Sequence, residues 1–88
     1  EGGDVRSRLA SAEDWLKRHP RDPQLLLSLG RLCVQSQLWG KAESYLEASL
    51  AIAPSWEAHV ELAHLAERMD RDDEANRHYR AAAEQRRA

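Results

Sequence analysis

A chain of 88 residues makes one small domain at most. At that size it buries little more than ~60% of its unfolded surface, which argues against a large enclosed active-site cavity. Composition is 42% hydrophobic and 32% charged, with three prolines, four glycines and a formal net charge of -2. That balance favours helices over disorder or a sandwich, and the interspersed signs exclude a long-range field for nucleic acid or an anionic membrane. The single cysteine, Cys33, excludes a disulfide scaffold, and no apolar run approaches the roughly 18 residues of a spanning helix.

The chain opens on Glu1-Gly2-Gly3 without an initiating Met, which reads as an excised piece of a longer protein. A first helix is expected from Val5, Leu9, Ala12 and Leu16 at 3-to-4 spacing, ending before His19-Pro20. Asp22-Pro23 restarts the chain, because Asp caps a helix well and Pro suits its first turn. The second helix then presents Leu26, Leu29 and Cys33 on one face, widened by Leu25 and Leu32. A polar turn near Ser36-Gln37 leads to a third helix with Trp39, Ala42, Tyr45, Leu46, Ser49 and Leu50, stopped by Pro54. Ser55 can cap a fourth helix carrying Ala58, Leu62, Leu65, Ala66 and Met69. Asp70-Arg71-Asp72 breaks it, and a fifth runs from about Asp73 with Ala75, Tyr79 and Ala82 inward. Five helices joined by such short turns must run antiparallel to their neighbours.

An internal period organises these elements. Leu29 maps to Leu62, Gly30 to Ala63, Cys33 to Ala66, Ala42 to Ala75, Leu46 to Tyr79 and Ser49 to Ala82, each pair 33 residues apart. Small residues recurring at Gly30, Ala42 and Ser49 allow close helix approach, while Leu46 and Tyr79 supply bulk between paired helices. The fold class expected is all-α, with a half repeat over 4–19, a full repeat over 22–54 and a second over 55–87. Trp15, Trp39 and Trp56 fall at helix ends or interfaces, where packing is the expected role.

With Leu26-x-x-Leu29-Gly30-x-x-Cys33, then Ala42-x-x-x-Leu46-x-x-Ser49 and Pro54, the second and third helices resemble one tetratricopeptide repeat. That resemblance implies an antiparallel helix-turn-helix solenoid whose first helices line a concave groove for a partner protein or peptide. Carried over residue by residue, the groove positions are Gln24, Leu27, Ser28, Arg31 and Gln35 from the second helix, with Glu57, Val60, Glu61, His64, Glu67 and Arg68 from the fourth. The Lys, Asn and Arg clamp that grips a free carboxyl terminus in some such repeats is missing. Glu57, Glu61 and Glu67 would repel an acidic tail, so the expected ligand is a neutral or basic peptide with an apolar anchor over Leu27 and Val60. The second repeat departs from the family pattern in lacking a closing proline.

Trp39-Gly40-Lys41-Ala42, followed by Tyr45-Leu46-Glu47 and Ser49-Leu50, is also similar to the carboxy-terminal repeats of HemY-type proteins. These are proteobacterial inner-membrane proteins associated with protoheme IX biogenesis. The similarity implies a membrane-anchored parent of which these residues form the end outside the membrane.

No catalytic set is expected: there is no Gly-rich phosphate loop, no H-E-x-x-H and no nucleophile elbow. Nucleic-acid binding is not expected either, since Arg68, Arg71, Arg77, Arg80, Arg86 and Arg87 are interleaved with Asp70, Asp72, Asp73, Glu74 and Glu84. The alternative function is a heme- or metal-binding helical module, motivated by His19, Cys33, His59, His64 and His78. Glu61, His64 and Glu67 spread over a wide arc of helix and no zinc-type signature is present, so no metal or cofactor is assigned. An excised solenoid also exposes its ends, and either self-association at high concentration through Val5 and Leu9 or Tyr79 and Ala82, or further repeats in the parent protein, is expected.

Overall fold

A computed structural model describes residues 2–87. Five helices follow in order among them: α1 (Gly2–Arg18), α2 (Pro23–Gln35), α3 (Trp39–Ile52), α4 (Trp56–Arg68) and α5 (Asp72–Arg87), with no strand among the described residues. Contacts run between chain neighbours α1–α2, α2–α3, α3–α4 and α4–α5, with one further contact of α2 on α4. The resulting body measures 34 × 26 × 18 Å. Such a layered order follows from short turns, because a helix that cannot travel far must pack on the one it has just left.

The helix starts obey local chemistry. The Asp22 carboxylate accepts from Gln24 N at 3.0 Å and Leu25 N at 3.2 Å, and Pro23 occupies the position that needs no amide donor. Ser55 Oγ accepts from Ala58 N at 3.2 Å to start α4. Pro20 and Pro54 each follow a finished helix, α1 closing at Arg18 and α3 at Ile52.

Two helix ends share a geometry that no local residue announces. Gln37 (φ 60°) and Asp70 (φ 59°) adopt the left-handed conformation, and they lie 33 residues apart. Leu38 N donates to Cys33 O (2.8 Å) and Gln37 N to Val34 O (3.0 Å). Arg71 N donates to Ala66 O (2.8 Å) and Asp70 N to Glu67 O (3.1 Å). Both α2 and α4 thus end in the same paired-bond cap, which satisfies carbonyls the last turn would leave open. A left-handed L-residue costs about 1–2 kcal/mol, and the extra unfolded-state entropy of glycine returns about half of that. Gln37→Gly should therefore raise stability by about 0.5–1 kcal/mol, seen as a higher urea midpoint at unchanged slope.

The core is a continuous cluster that includes Leu9, Leu27, Leu29, Leu32, Cys33, Ala42, Leu46, Ala58, Leu62 and Leu65. All six pairs of the 33-residue period are buried on both sides except that Tyr79 is half-buried. The closest approach is at Gly30, where a Cβ would stand 2.5 Å from Leu46 Cδ2 and 2.6 Å from its Cγ. α2 and α3 therefore meet backbone to side chain at this point. Ser49, buried one turn beyond Leu46, donates its hydroxyl to Pro23 O at 2.8 Å and ties the last turn of α3 to the start of α2.

α1 is held by a polar hub as well as by Leu9. Tyr45 Oη donates to Glu13 Oε2 at 2.6 Å, and Lys41 Nζ reaches the same oxygen at 2.8 Å. The bond from Lys41, then that from Tyr45, hold the Glu13 carboxyl below its usual range. Burial first, and then the Glu13 bond, push the Tyr45 phenol up.

Three expectations change here. Leu27 is a core residue, 4% exposed, and cannot anchor a ligand in an open groove. The reason is that α2 packs on α1, α3 and α4 at once, so its buried arc is wide and its exposed stripe narrow. The ends are also more closed than expected, with Leu9 and Ala82 buried and Val5 and Tyr79 half-buried. Trp15 is 50% exposed, lying on the outer side of α1 with His19 stacked at 4.9 Å and Arg18 at 5.8 Å from its ring. Trp56 is exposed too and covers its ring with Arg86 at 4.7 Å, so of the three only Trp39 packs against the core.

Candidate interaction groove

The narrow exposed stripe of α2 consists of Gln24, Ser28, Arg31 and Gln35. On α4 the matching stripe carries Glu57, Val60 and Glu61, all half-buried, and His64, Glu67 and Arg68, all exposed. Helical periodicity accounts for both, because Ala58, Leu62, Ala63, Leu65 and Ala66 turn the other side of α4 inward. Arg31 Nε donates to Glu61 Oε2 at 2.9 Å and bridges the two stripes.

An open hollow of about 500 Å³ lies along this face, lined by Val34, Glu61, His64, Glu67 and Arg68. Four of these are residues the sequence assigns to a groove. Val34 is new. It sits at the margin of the buried arc of α2, and an apolar residue bordering a polar stripe is the signal that could have found it. Gln24, Ser28, Arg31, Gln35, Glu57 and Val60 do not line the hollow, though they belong to the same two stripes.

Three of the polar groups of the hollow, His64, Glu67 and Arg68, are braced from behind. Tyr79 Oη donates to Glu67 Oε1 at 2.8 Å, and the Tyr79 ring meets His64 edge-on at 5.9 Å. Burial, then the Glu67 bond, raise the Tyr79 phenol above its ordinary value, so it stays a donor. The Arg68 guanidinium lies over Trp39 at 5.6 Å. α3 and α5 thus fix side chains that α4 presents, which lowers the ordering cost of a ligand. Glu57, Glu61 and Glu67 against Arg31 and Arg68 leave one excess negative charge on the face.

The residues behind the alternative chemistry are differently placed. Cys33 is fully buried, and burial pushes its thiol up, away from the thiolate that nucleophile or ligand chemistry needs. Met69 packs against the core. His64 is in the hollow, His19 stacks on Trp15, and His59 pairs with His78 between α4 and α5. Among the described residues no three His, Cys, Asp or Glu side chains gather where one metal ion could meet them all. No helix among these residues is long and apolar enough to cross a membrane.

No protein-family model, curated protein or solved structure matches this chain.

Proposed function

We propose that the chain is a non-catalytic interaction scaffold of tetratricopeptide type, receiving a partner peptide along the concave face of α2 and α4. The observation that carries this reading is the juxtaposition of two exposed stripes across the Arg31–Glu61 bridge, with an open hollow along the α4 stripe that Val34 of α2 borders. Repetition of the helix-end cap and of the Gly30/Ala63 and Leu46/Tyr79 positions at 33 residues supports a repeat architecture. The ligand class follows from the face as a whole: Val34 in the hollow and Val60 on the α4 stripe beside it offer apolar contact, and the excess carboxylate favours a neutral or basic segment. The likeness of Trp39-Gly40-Lys41-Ala42 and the residues after it to HemY-type repeats places the parent, in this reading, at a bacterial inner membrane. Membrane fractionation of the full-length parent tests that part alone.

The binding part is tested by fluorescence polarisation with labelled peptides of matched length, each with one leucine anchor and either lysines, serines or glutamates around it. The lysine and serine peptides should bind, and Val60→Glu should weaken the serine peptide at least about tenfold. Tightest binding by the glutamate peptide would sink the reading.

A further inference from the structure

His59 of α4 and His78 of α5 point at each other, with Nδ1 to Nδ1 at 3.1 Å, ring centroids 5.3 Å apart and ring planes inclined by 37°. Both are half-buried. We propose that this pair chelates a divalent transition-metal ion, Zn²⁺ in the first instance, and that the ion pins α4 to α5.

The argument is one of bite. A metal–imidazole bond is about 2.0–2.1 Å, and two such bonds opened by about 100° set their nitrogens about 3.1 Å apart. The observed separation, which a hydrogen bond sets in the metal-free chain, therefore also suits two neighbouring ligands on one ion, between the right angle of octahedral sites and the tetrahedral angle. Imidazole nitrogen suits Zn²⁺, Cu²⁺ and Ni²⁺ and is a poor match for Mg²⁺ or Ca²⁺. Without the ion, one Nδ1 must carry a hydrogen and donate to the other. On binding, that hydrogen moves through water to Nε2 of the same ring, and both Nδ1 lone pairs become ligands with no net change in protons. Two protein donors leave the other positions to water, so the site is an open chelate and not a closed structural one.

The pair is separate from the hollow. His59 and His64 project about 140° apart around α4, and only His64 lines it. Loss of peptide binding and loss of metal binding can thus be told apart. Because the ion would join two helices and bind the folded chain far better than the unfolded one, it should also raise the thermal midpoint.

Titration of ZnCl₂ into the chain by isothermal calorimetry is expected to show one ion per chain. His59→Gln and His78→Gln should each weaken binding about tenfold or more, while His64→Gln and His19→Gln leave it unchanged. Circular dichroism establishes that each variant is helical before it is titrated. Cu²⁺ loaded into the parent chain should give an electron paramagnetic resonance spectrum with two equatorial imidazole nitrogens, and His78→Gln should show one. Unchanged affinity in both dyad variants would overturn the proposal. So would half an ion per chain, which means a bridge between copies, or a two-nitrogen signal surviving in His78→Gln.

Discussion

Leu46→Ala should cost about 2–5 kcal/mol, the range for emptying a fully enclosed aliphatic site. Leu46 has no exposed surface and lies where α2 and α3 come closest, against Gly30. Its removal forfeits the transfer energy of its methyl and methylene groups and leaves a cavity that rigid helices close only in part. A domain of this size has roughly 5–15 kcal/mol in all, so one side chain carries a large share of the total. The thermal midpoint should fall by about 10 °C or more. A loss under about 1 kcal/mol in urea denaturation would mean that the α2–α3 interface relaxes freely and that Leu46 is not its centre.

The second large effect is at Gly30. Alanine is the better helix former by about 1 kcal/mol, so propensity alone makes Gly30→Ala stabilising. Packing opposes it. A methyl group there would be 2.5 Å and 2.6 Å from two carbons of a side chain that is itself enclosed and cannot swing aside. Overpacking of this kind costs about 1–3 kcal/mol and should win, giving a net destabilisation. The two substitutions should be strongly coupled. In a Leu46→Ala background the cavity accepts the methyl, so Gly30→Ala becomes neutral or stabilising, a cycle read directly from three denaturation curves. At the equivalent place in the last two helices Ala63 already carries a Cβ, and its opposite number Tyr79 is half-buried and turned toward Glu67.

How much of this was visible beforehand depends on whether the signal is local. Caps at Asp22 and Ser55, and stops at Pro20 and Pro54, are set by one or two residues, and all four could be read from the chain. The left-handed conformation at Gln37 could not, because Gln is not the glycine or asparagine that such a position favours, whereas Asp70 is of a type that adopts it at times and stands where the sequence breaks the fourth helix. Only their spacing relates them.

Leu27 turns inward for a tertiary reason. Its register is that of a groove residue in the family pattern, yet α2 is flanked by α1, α3 and α4, which draws it inward. The polar stripe Gln24, Ser28, Arg31 and Gln35 kept its exposure, since four polar residues at helical spacing have no other place to go. Trp15 shows the converse. Its size invites a packing role, but Leu16 beside it takes the inward direction and Trp15 shields itself with His19 and Arg18. The His59–His78 pair joins residues 19 apart in the chain, and no spacing rule links them until α4 and α5 are laid side by side.

The most direct test of the scaffold reading is an amide chemical-shift titration of the isotope-labelled chain with the tightest-binding lysine or serine peptide. Expected are saturable shifts that trace Gln24, Ser28, Arg31 and Gln35 on α2 and Val60, Glu61, His64 and Arg68 on α4, leaving the outer faces of α3 and α5 still. Shifts centred on those outer faces, or none at saturating peptide, would contradict it.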